Sequence, residues 1–373
     1  MAVFVLDKRK RPLMPCSEKR ARLLLNRGRA VVVKLYPFTI RLKDRIGGET
    51  QPIRVKLDPG SKHTGIAVVR ESETIDPETG EVISKLTVLN LFQINHRGLA
   101  ISANLTSRRA MRSRRRSNLR YRKARFDNRT KPKGWLAPSL QHRVDTVMSW
   151  VNKILRFAPV TAISQEFNLA LACDPCNKKK GTLPIEVFLK DKPLIVKKIL
   201  IQAKRPLKDA AAVNSTRWAL ANLLKASGLP VALSNGGRTK FNRFQQSIPK
   251  THALDAVCVG EVGTVINWNI PTLEIKCTGR GSYQRTRLNQ FGFPRGYLMR
   301  QKAVKGFQTG DRVKAVVTKG KKLGEYKGRV AVRASGSFNI THSAGTVQGI
   351  SHNYCHLIAR NDGYGYIHQP KIA

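Results

Sequence analysis

Four residues from three separated stretches carry the chemistry this chain is able to do. In Ile53-Arg-Val-Lys-Leu-Asp-Pro-Gly-Ser-Lys-His-Thr-Gly-Ile-Ala-Val-Val69, Asp58 stands at the end of a β-branched run, before the turn at Pro59-Gly60. In Val160-Thr-Ala-Ile-Ser-Gln-Glu166 a second strand-like run ends in a carboxylate. In Thr251-His-Ala-Leu-Asp-Ala-Val-Cys-Val259, His252 and Asp255 lie three apart, a spacing that puts both on one face of a helix. An Asp opening a hairpin turn is ordinary, and so is a single surface carboxylate. Three carboxylates and an imidazole together are the donor set of a phosphodiester-cleaving site. Asp58, Glu166 and Asp255 offer the hard oxygen ligands that Mg²⁺ prefers, with Mn²⁺ able to substitute. Two such ions about 4 Å apart would clamp the attacking and leaving oxygens, and His252 would accept a proton from the attacking water.

Those residues need a sheet and a covering helix to bring them together. The runs at 53–69 predict two strands joined by a turn, and Leu86–Phe92 a third. Glu71–Glu81, rich in acids around Pro-Glu-Thr-Gly, is expected to form an exposed hairpin tip. Helical spacing of Val144, Val147, Met148, Val151, Ile154 and Leu155 predicts a helix over Pro138–Phe157. Lys204–Gly228 reads as another, with Ala210–Val213, Trp218, Leu220, Leu223 and Leu224 in its core and Asp209–Arg217 facing nucleic acid. Val231–Leu233 reads as a strand. Gly236–Phe244 is expected to be a basic loop whose two aromatics suit backbone contact with base stacking. At the N-terminus the pattern gives strands at Val3–Leu6, Ala30–Leu35 and Phe38–Leu42, and a helix at Ser17–Arg27.

Composition names the partner class. The 373 residues carry 69 Lys and Arg against 23 Asp and Glu, a formal net charge of +46. Such an excess calls for a polyanion, and nucleic acid is the natural one, bound with strong salt dependence. No stretch reaches the roughly 18 apolar residues of a membrane span, so no membrane partner is expected. The N-terminal Val3–Leu6 runs directly into Lys8-Arg-Lys-Arg11, unlike a signal peptide. Six scattered cysteines argue against a disulfide framework, and a prokaryotic cytoplasmic location is expected. From Arg108 to Arg129 there are 11 basic residues and one acid, Asp127, with no Gly or Pro. Wholly helical, that segment would run about 33 Å. Its apolar residues are too few for a buried stripe. Arg108, Arg109, Arg112, Arg115, Arg116, Arg120 and Arg122 are its candidate contacts to two nucleic-acid strands or to one enveloping RNA, arginine being suited to bidentate phosphate binding.

Asp58-Pro-Gly, Ile163-Ser-Gln-Glu166 and His252-Ala-Leu-Asp255, taken in order, resemble the three split motifs of a RuvC nuclease of the RNase H-like fold. Pro12-Leu-Met-Pro15 resembles the N-terminal signature of the IscB and IsrB proteins, the OMEGA RNA-guided nucleases of IS200/IS605-type transposons. The resemblance implies an α/β (α+β) multidomain chain. Its parts would be a PLMP domain (1–50), RuvC part I (51–98), an Arg-rich bridge helix (99–133), RuvC part II (134–167), an HNH remnant (168–203), RuvC part III (204–275) and a C-terminal RNA- and motif-binding region (276–373). It implies Asp58, Glu166, His252 and Asp255 as the catalytic set, with Asp58, Glu166 and Asp255 on magnesium. It also implies a guide (omega) RNA lying against the bridge helix and double-stranded DNA as target. Sequence choice would be delegated to guide pairing, in a monomeric ribonucleoprotein.

In the C-terminal region Gly310–Val317 and Gly328–Arg333 alternate as half-buried strands of a small SH3-like barrel. There the resemblance would place readers of a target-adjacent motif, with Arg285, Arg287 and Arg295 as candidates. The chain departs from IscB between the second and third motifs. Only Cys173-x-x-Cys176 remains of a zinc knuckle, and no Asp-His or Glu-His pair is present to activate water. A structural zinc needs four ligands, so none is expected. The implied activity is that of an HNH-less IsrB nickase cutting the non-target strand. The alternatives are a guide-RNA-binding protein that binds DNA without effective cleavage, and a guide-independent, structure-selective RuvC-like nuclease.

Overall fold

A computed structural model describes the chain except residues 76–79, 118–130, 133, 169–178, 180–184, 198–206, 280–285, 292, 298–300 and 373. Its first unit is a four-stranded sheet in the order β2-β1-β4-β3, from β1 (Val3–Leu6), β2 (Pro12–Cys16), β3 (Ala30–Lys34) and β4 (Thr39–Leu42). Helix α1 (Glu18–Asn26) starts where the Ser17 side chain accepts from Arg20 N, and it lays Ala21 on this sheet. The Pro12–Pro15 signature lies on β2. Ala2 N donates to Leu89 O and Asn90 Nδ2 to Ala2 O, which ties the unit to the next sheet.

The central sheet is built from β5 (Ile53–Pro59), β6 (His63–Ile75), β7 (Val82–Asn95), β8 (Val160–Asn168) and β9 (Val231–Asn235). Their order is β7-β6-β5-β8-β9. The first three strands pair antiparallel, while β8 runs parallel to β5 and β9 parallel to β8. Three antiparallel strands followed by two parallel ones, with helices on both faces, make an RNase H-like core, as expected from the motifs. The strands β10 (Thr264–Ile266) and β11 (Thr272–Cys277) extend it beside β7. The hairpin β6–β7 is longer than predicted, because cross-strand pairing continues to Ile75↔Val82.

Alternation along β5 sorts the core. Ile53, Val55 and Leu57 face one side, where they meet α3 (Pro138–Phe157) and α4 (Leu207–Lys225). Trp150 is fully buried there, a core residue the periodic reading of α3 omitted. On α4, Leu220 and Leu224 are buried as expected. Trp218 and Leu223 are not: they are 56% and 43% exposed. The opposite face of the sheet is covered by α6 (His252–Val257), whose Ala253, Leu254, Ala256 and Val257 pack on Ala67 and Val69 of β6. Residues 236–245 form a helix, α5 (Gly236–Gln245), rather than the predicted loop. The paired glycines suggest a loop, but Asn235 caps the first turn through its side chain to Arg238 N, and no proline interrupts the turns after it.

Helix α2 (Gly98–Ser117) holds the described part of the arginine-rich segment, with residues 118–130 outside the described residues. After β11 come a small hairpin, β12 (Thr286–Leu288) with β13 (Pro294–Tyr297), and the two-residue strands β14 (Ala303–Val304) and β15 (Phe307–Gln308). Then β16 (Arg312–Val317), β17 (Gly324–Ala331), β18 (Ser337–His342), β19 (Gly345–Ser351) and β20 (Cys355–Ala359) form an antiparallel five-stranded sheet, ordered β19-β18-β17-β16-β20. Its own core includes Val313, Phe338 and Ile340. The last strand, β21 (Tyr364–Gln369), returns to pair with β11, so the C-terminal region closes onto the central sheet.

Candidate active site

The side chains on even positions of β5 point toward α6, so Lys56 and Asp58 share the face that the helix covers. Asp58 sits opposite Gly65 of β6 in the register, and Glu166 lies beside it at the C-terminal end of β8. A bulge in the β8–β9 pairing falls between Glu166 and Asn168, a common device for re-aiming a side chain at a sheet's rim. The helix α6 is capped by the Thr251 side chain accepting from Leu254 N, so His252 opens its first turn. Gly65 permits the approach: a Cβ there would stand 1.6 Å from the His252 carbonyl oxygen.

The four predicted residues come together at this rim. His252 Nδ1 lies 3.9 Å from Asp58 Oδ2, and the His252 ring stacks on His63 with centroids 4.9 Å apart. Asp58 and Glu166 are joined by one guanidinium, since Arg217 Nη2 is 2.9 Å from Glu166 Oε1 and 3.9 Å from Asp58 Oδ1. Arg217 Nε donates to Pro59 O at 2.9 Å, and Gln165 Nε2 donates to Arg217 O at 3.0 Å. Asp255, one turn along α6, is paired with Arg243 of α5 at 2.9 Å. Arg217 is thus buried at the rim, not facing nucleic acid as its sequence position suggests.

Electrostatics follow from this crowding. Burial first, and then the Asp58 charge, raise the pKa of Glu166; Arg217 opposes the shift. Asp255 is raised by the same two causes, and Arg243 opposes it. The Asp58 carboxylate raises the His252 pKa above its ordinary value by stabilising the imidazolium, with burial opposing the shift. Lys56 is fully buried below α6 and donates to the carbonyls of Val257, Val259 and Glu261 at 3.1, 2.9 and 3.3 Å. Burial pushes its ammonium down to about 7. It anchors the C-terminal end of the helix whose N-terminal turn carries His252 and Asp255. Sequence reading misses both Lys56 and Arg217.

Among the described residues, no group of three or more His, Cys, Asp or Glu is gathered closely enough to hold a metal ion as it stands. The donor chemistry nonetheless fits one. Asp58, Glu166 and Asp255 are hard oxygen donors, and burial, followed by the charge of Asp58, raises the pKa of both Glu166 and Asp255. Arg217 and Arg243 are the cations now holding them.

Away from the rim, Arg108, Arg109, Arg112 and Arg116 are exposed on α2, with Arg109, Arg112 and Arg116 on one face at helical spacing. Arg115 lies on the same helix, and Arg120 and Arg122 lie outside the described residues. Arg114 is committed elsewhere, its guanidinium 5.2 Å from the Phe291 ring centre. Arg287 and Arg295 are exposed on the β12–β13 hairpin, and Arg285 is outside the described residues. Cys173 and Cys176 are also outside them, while Cys16, Cys258, Cys277 and Cys355 are free thiols. A cleft of about 940 Å³ separates β3 from the C-terminal sheet, and Lys34, Lys276, Arg312, Lys327, Arg329 and Arg360 line it. No described helix is long and apolar enough to cross a membrane.

Residues 3–170 match the family model described as RRXRR protein. No curated protein matches the sequence. Among solved structures, the chain is similar to Thermus thermophilus RuvC in complex with a Holliday junction substrate, with 13% identity and a TM-score of 0.28. That match covers 56% of this chain and 89% of the other. A separate Thermus thermophilus RuvC structure matches at 13% identity and TM-score 0.27, over the same shares. The fold assignment rests on strand order rather than on these superpositions.

Proposed function

We propose that this chain is an RNA-guided DNA nickase whose single active site is the rim formed by Asp58, Glu166, Asp255 and His252. The observation that carries the proposal is the convergence of these four side chains, from elements up to 197 residues apart, at the ends of two neighbouring strands. The RRXRR match, a family found in IscB/OMEGA-type proteins, supports the same reading, as do the exposed arginines of α2.

Asp58, Glu166 and Asp255 would hold magnesium, which when bound supplies charge for the phosphodiester and an acidified water. The chain's own residues do the rest. His252 accepts the proton of the attacking water, and the Asp58 carboxylate at 3.9 Å stabilises the imidazolium so formed. Lys56 and the Thr251 cap fix the helix that presents His252 and Asp255. Exposed arginines on α2 neutralise guide-RNA phosphates, and pairing of the guide with one DNA strand leaves the other displaced for this site.

The test is a supercoiled plasmid carrying the target, incubated with protein, guide RNA and Mg²⁺. Open-circle product with little linear product is expected, and strand-labelled duplex should show the cut in the non-target strand. Cleavage without RNA would favour a structure-selective nuclease. Efficient linearisation, or a cut in the guide-paired strand, would reveal a second active site and defeat the proposal.

A further inference from the structure

Helix α5 presents two very different faces. Its inner face is fixed to the carboxylate rim: Asn242 Nδ2 donates to Cys258 O at 2.9 Å and Gly260 O at 2.8 Å, and Arg243 pairs with Asp255. Thr239 is buried on that same face, where its hydroxyl donates to Asn235 O at 3.4 Å and its nearness helps to lower the Glu166 pKa. The outer face carries Phe241 and Phe244, which are 63% and 81% exposed and three residues apart, so their rings stand one turn from each other. Neither makes a ring contact among the described residues, whereas the exposed Trp218 is covered on one side by Phe167 at 4.4 Å. Arg238 and Lys240 are exposed on the same helix, Arg238 with its Nη2 3.8 Å from Glu261 Oε1.

Two bare aromatic rings beside cations, on a helix clamped to the site's acids, match one class of ligand. Two rings are too small a patch for a protein interface, and the neighbouring positive charge selects an anion with flat apolar faces. Stacked bases on a phosphate backbone have that chemistry, and only a single strand exposes them. We infer that Phe241 and Phe244 form a stacking platform for single-stranded DNA, delivering the strand to the Asp58–Glu166–Asp255 rim. The inference rests on the nuclease reading for its choice of DNA. The platform also explains why α5 is so firmly tied down: a platform that moved relative to Asp255 and Glu166 would not set the register of the scissile phosphate.

The experiment is an anisotropy titration of the full chain, without metal or guide, against labelled oligo-dT, oligo-rU and a blunt duplex. Base stacking on an aromatic is worth about 1–3 kcal/mol, so the Phe241→Ala, Phe244→Ala double variant should lose about tenfold or more in oligo-dT affinity. Duplex affinity and the salt slope should hold, because no phosphate contact is removed. Phe241→Trp with Phe244→Trp should restore binding. Unchanged oligo-dT affinity, equal loss on duplex and single strand, or loss confined to oligo-rU would each overturn the inference. A wild-type chain that binds oligo-dT through these rings but cuts no DNA would defeat the nuclease reading and leave the platform standing.

Discussion

Gly65→Ala tests whether the geometry of the rim, rather than its residue types alone, carries activity. The added Cβ would stand 1.6 Å from His252 O, 2.4 Å from His252 C and 3.0 Å from Ala253 N, all backbone atoms of the first turn of α6. No rotamer change relieves that contact. Restoring the 3.4 Å of an ordinary contact moves the turn by about 1.8 Å. The far end of α6 stays held by Lys56 on three carbonyls, so the helix must tilt about that anchor and carry His252 away from Asp58. Overpacking of this kind costs about 1–3 kcal/mol of stability. A displacement of about 1 Å at a catalytic group costs on the order of 100-fold in rate. Nicking should therefore fall at least 100-fold while the melting temperature falls by only a few degrees and RNA binding is kept. Gly365→Ala serves as control, because its backbone is not in the left-handed region and its Cβ would meet only ordinary contacts at 3.8 Å and beyond. A Gly65→Ala chain that folds and nicks at the wild-type rate would show that α6 does not position the chemistry.

Asp58→Ala or Glu166→Ala should abolish Mg²⁺-dependent cleavage while DNA binding persists in a gel-shift assay; full cutting by Asp58→Ala would remove the rim from the mechanism. Lys56→Ala leaves the carbonyls of Val257, Val259 and Glu261 without their donor and should cost about 3 kcal/mol in a denaturant titration, with unchanged stability counting against the anchor. Replacing Arg109, Arg112 and Arg116 by Ala should make the salt dependence of RNA binding shallower by about 2, at roughly 0.7–0.9 for each phosphate no longer neutralised, and an unchanged slope would return α2 to a merely solvated helix. Burial holds His96 down at about 3, so below about pH 6.5 the unfolded chain takes up a proton the folded one refuses. Stability should fall with pH across that window, by about 2 kcal/mol at pH 5, and His96→Gln should flatten the slope measured by thermal melts at stepped pH.

What the sequence made legible was local. Helical spacing located α3 to the residue, and the β-branched runs located β5, β8 and β9, because burial on one face imposes a period that a single chain shows by itself. Asp58 and Glu166 were visible as carboxylates at strand ends, and His252 with Asp255 as an i, i+3 pair. Contacts between distant segments left fainter marks. Gly65 stands alone inside a strand, and an isolated strand glycine does signal close backbone approach, but nothing nearby says that α6 is what approaches. Lys56 reads as a polar position in an alternating strand, and its partners lie 201 to 205 residues further on. Arg217 reads as one more cation in a chain of net charge +46, where arginine is too common to stand out. Yet these residues shape the rim: Gly65 admits α6, Lys56 holds its far end and Arg217 bridges two of the acids. The rim's acids are matched by guanidiniums from two helices: Arg217 of α4 on Glu166 and Asp58, and Arg243 of α5 on Asp255. Three carboxylates crowded at the rim, two on strands and one on α6, would repel one another and push α6 from the sheet. Spreading the compensating charges over two helices makes the approach of each depend on the acids, which couples folding to assembly of the site.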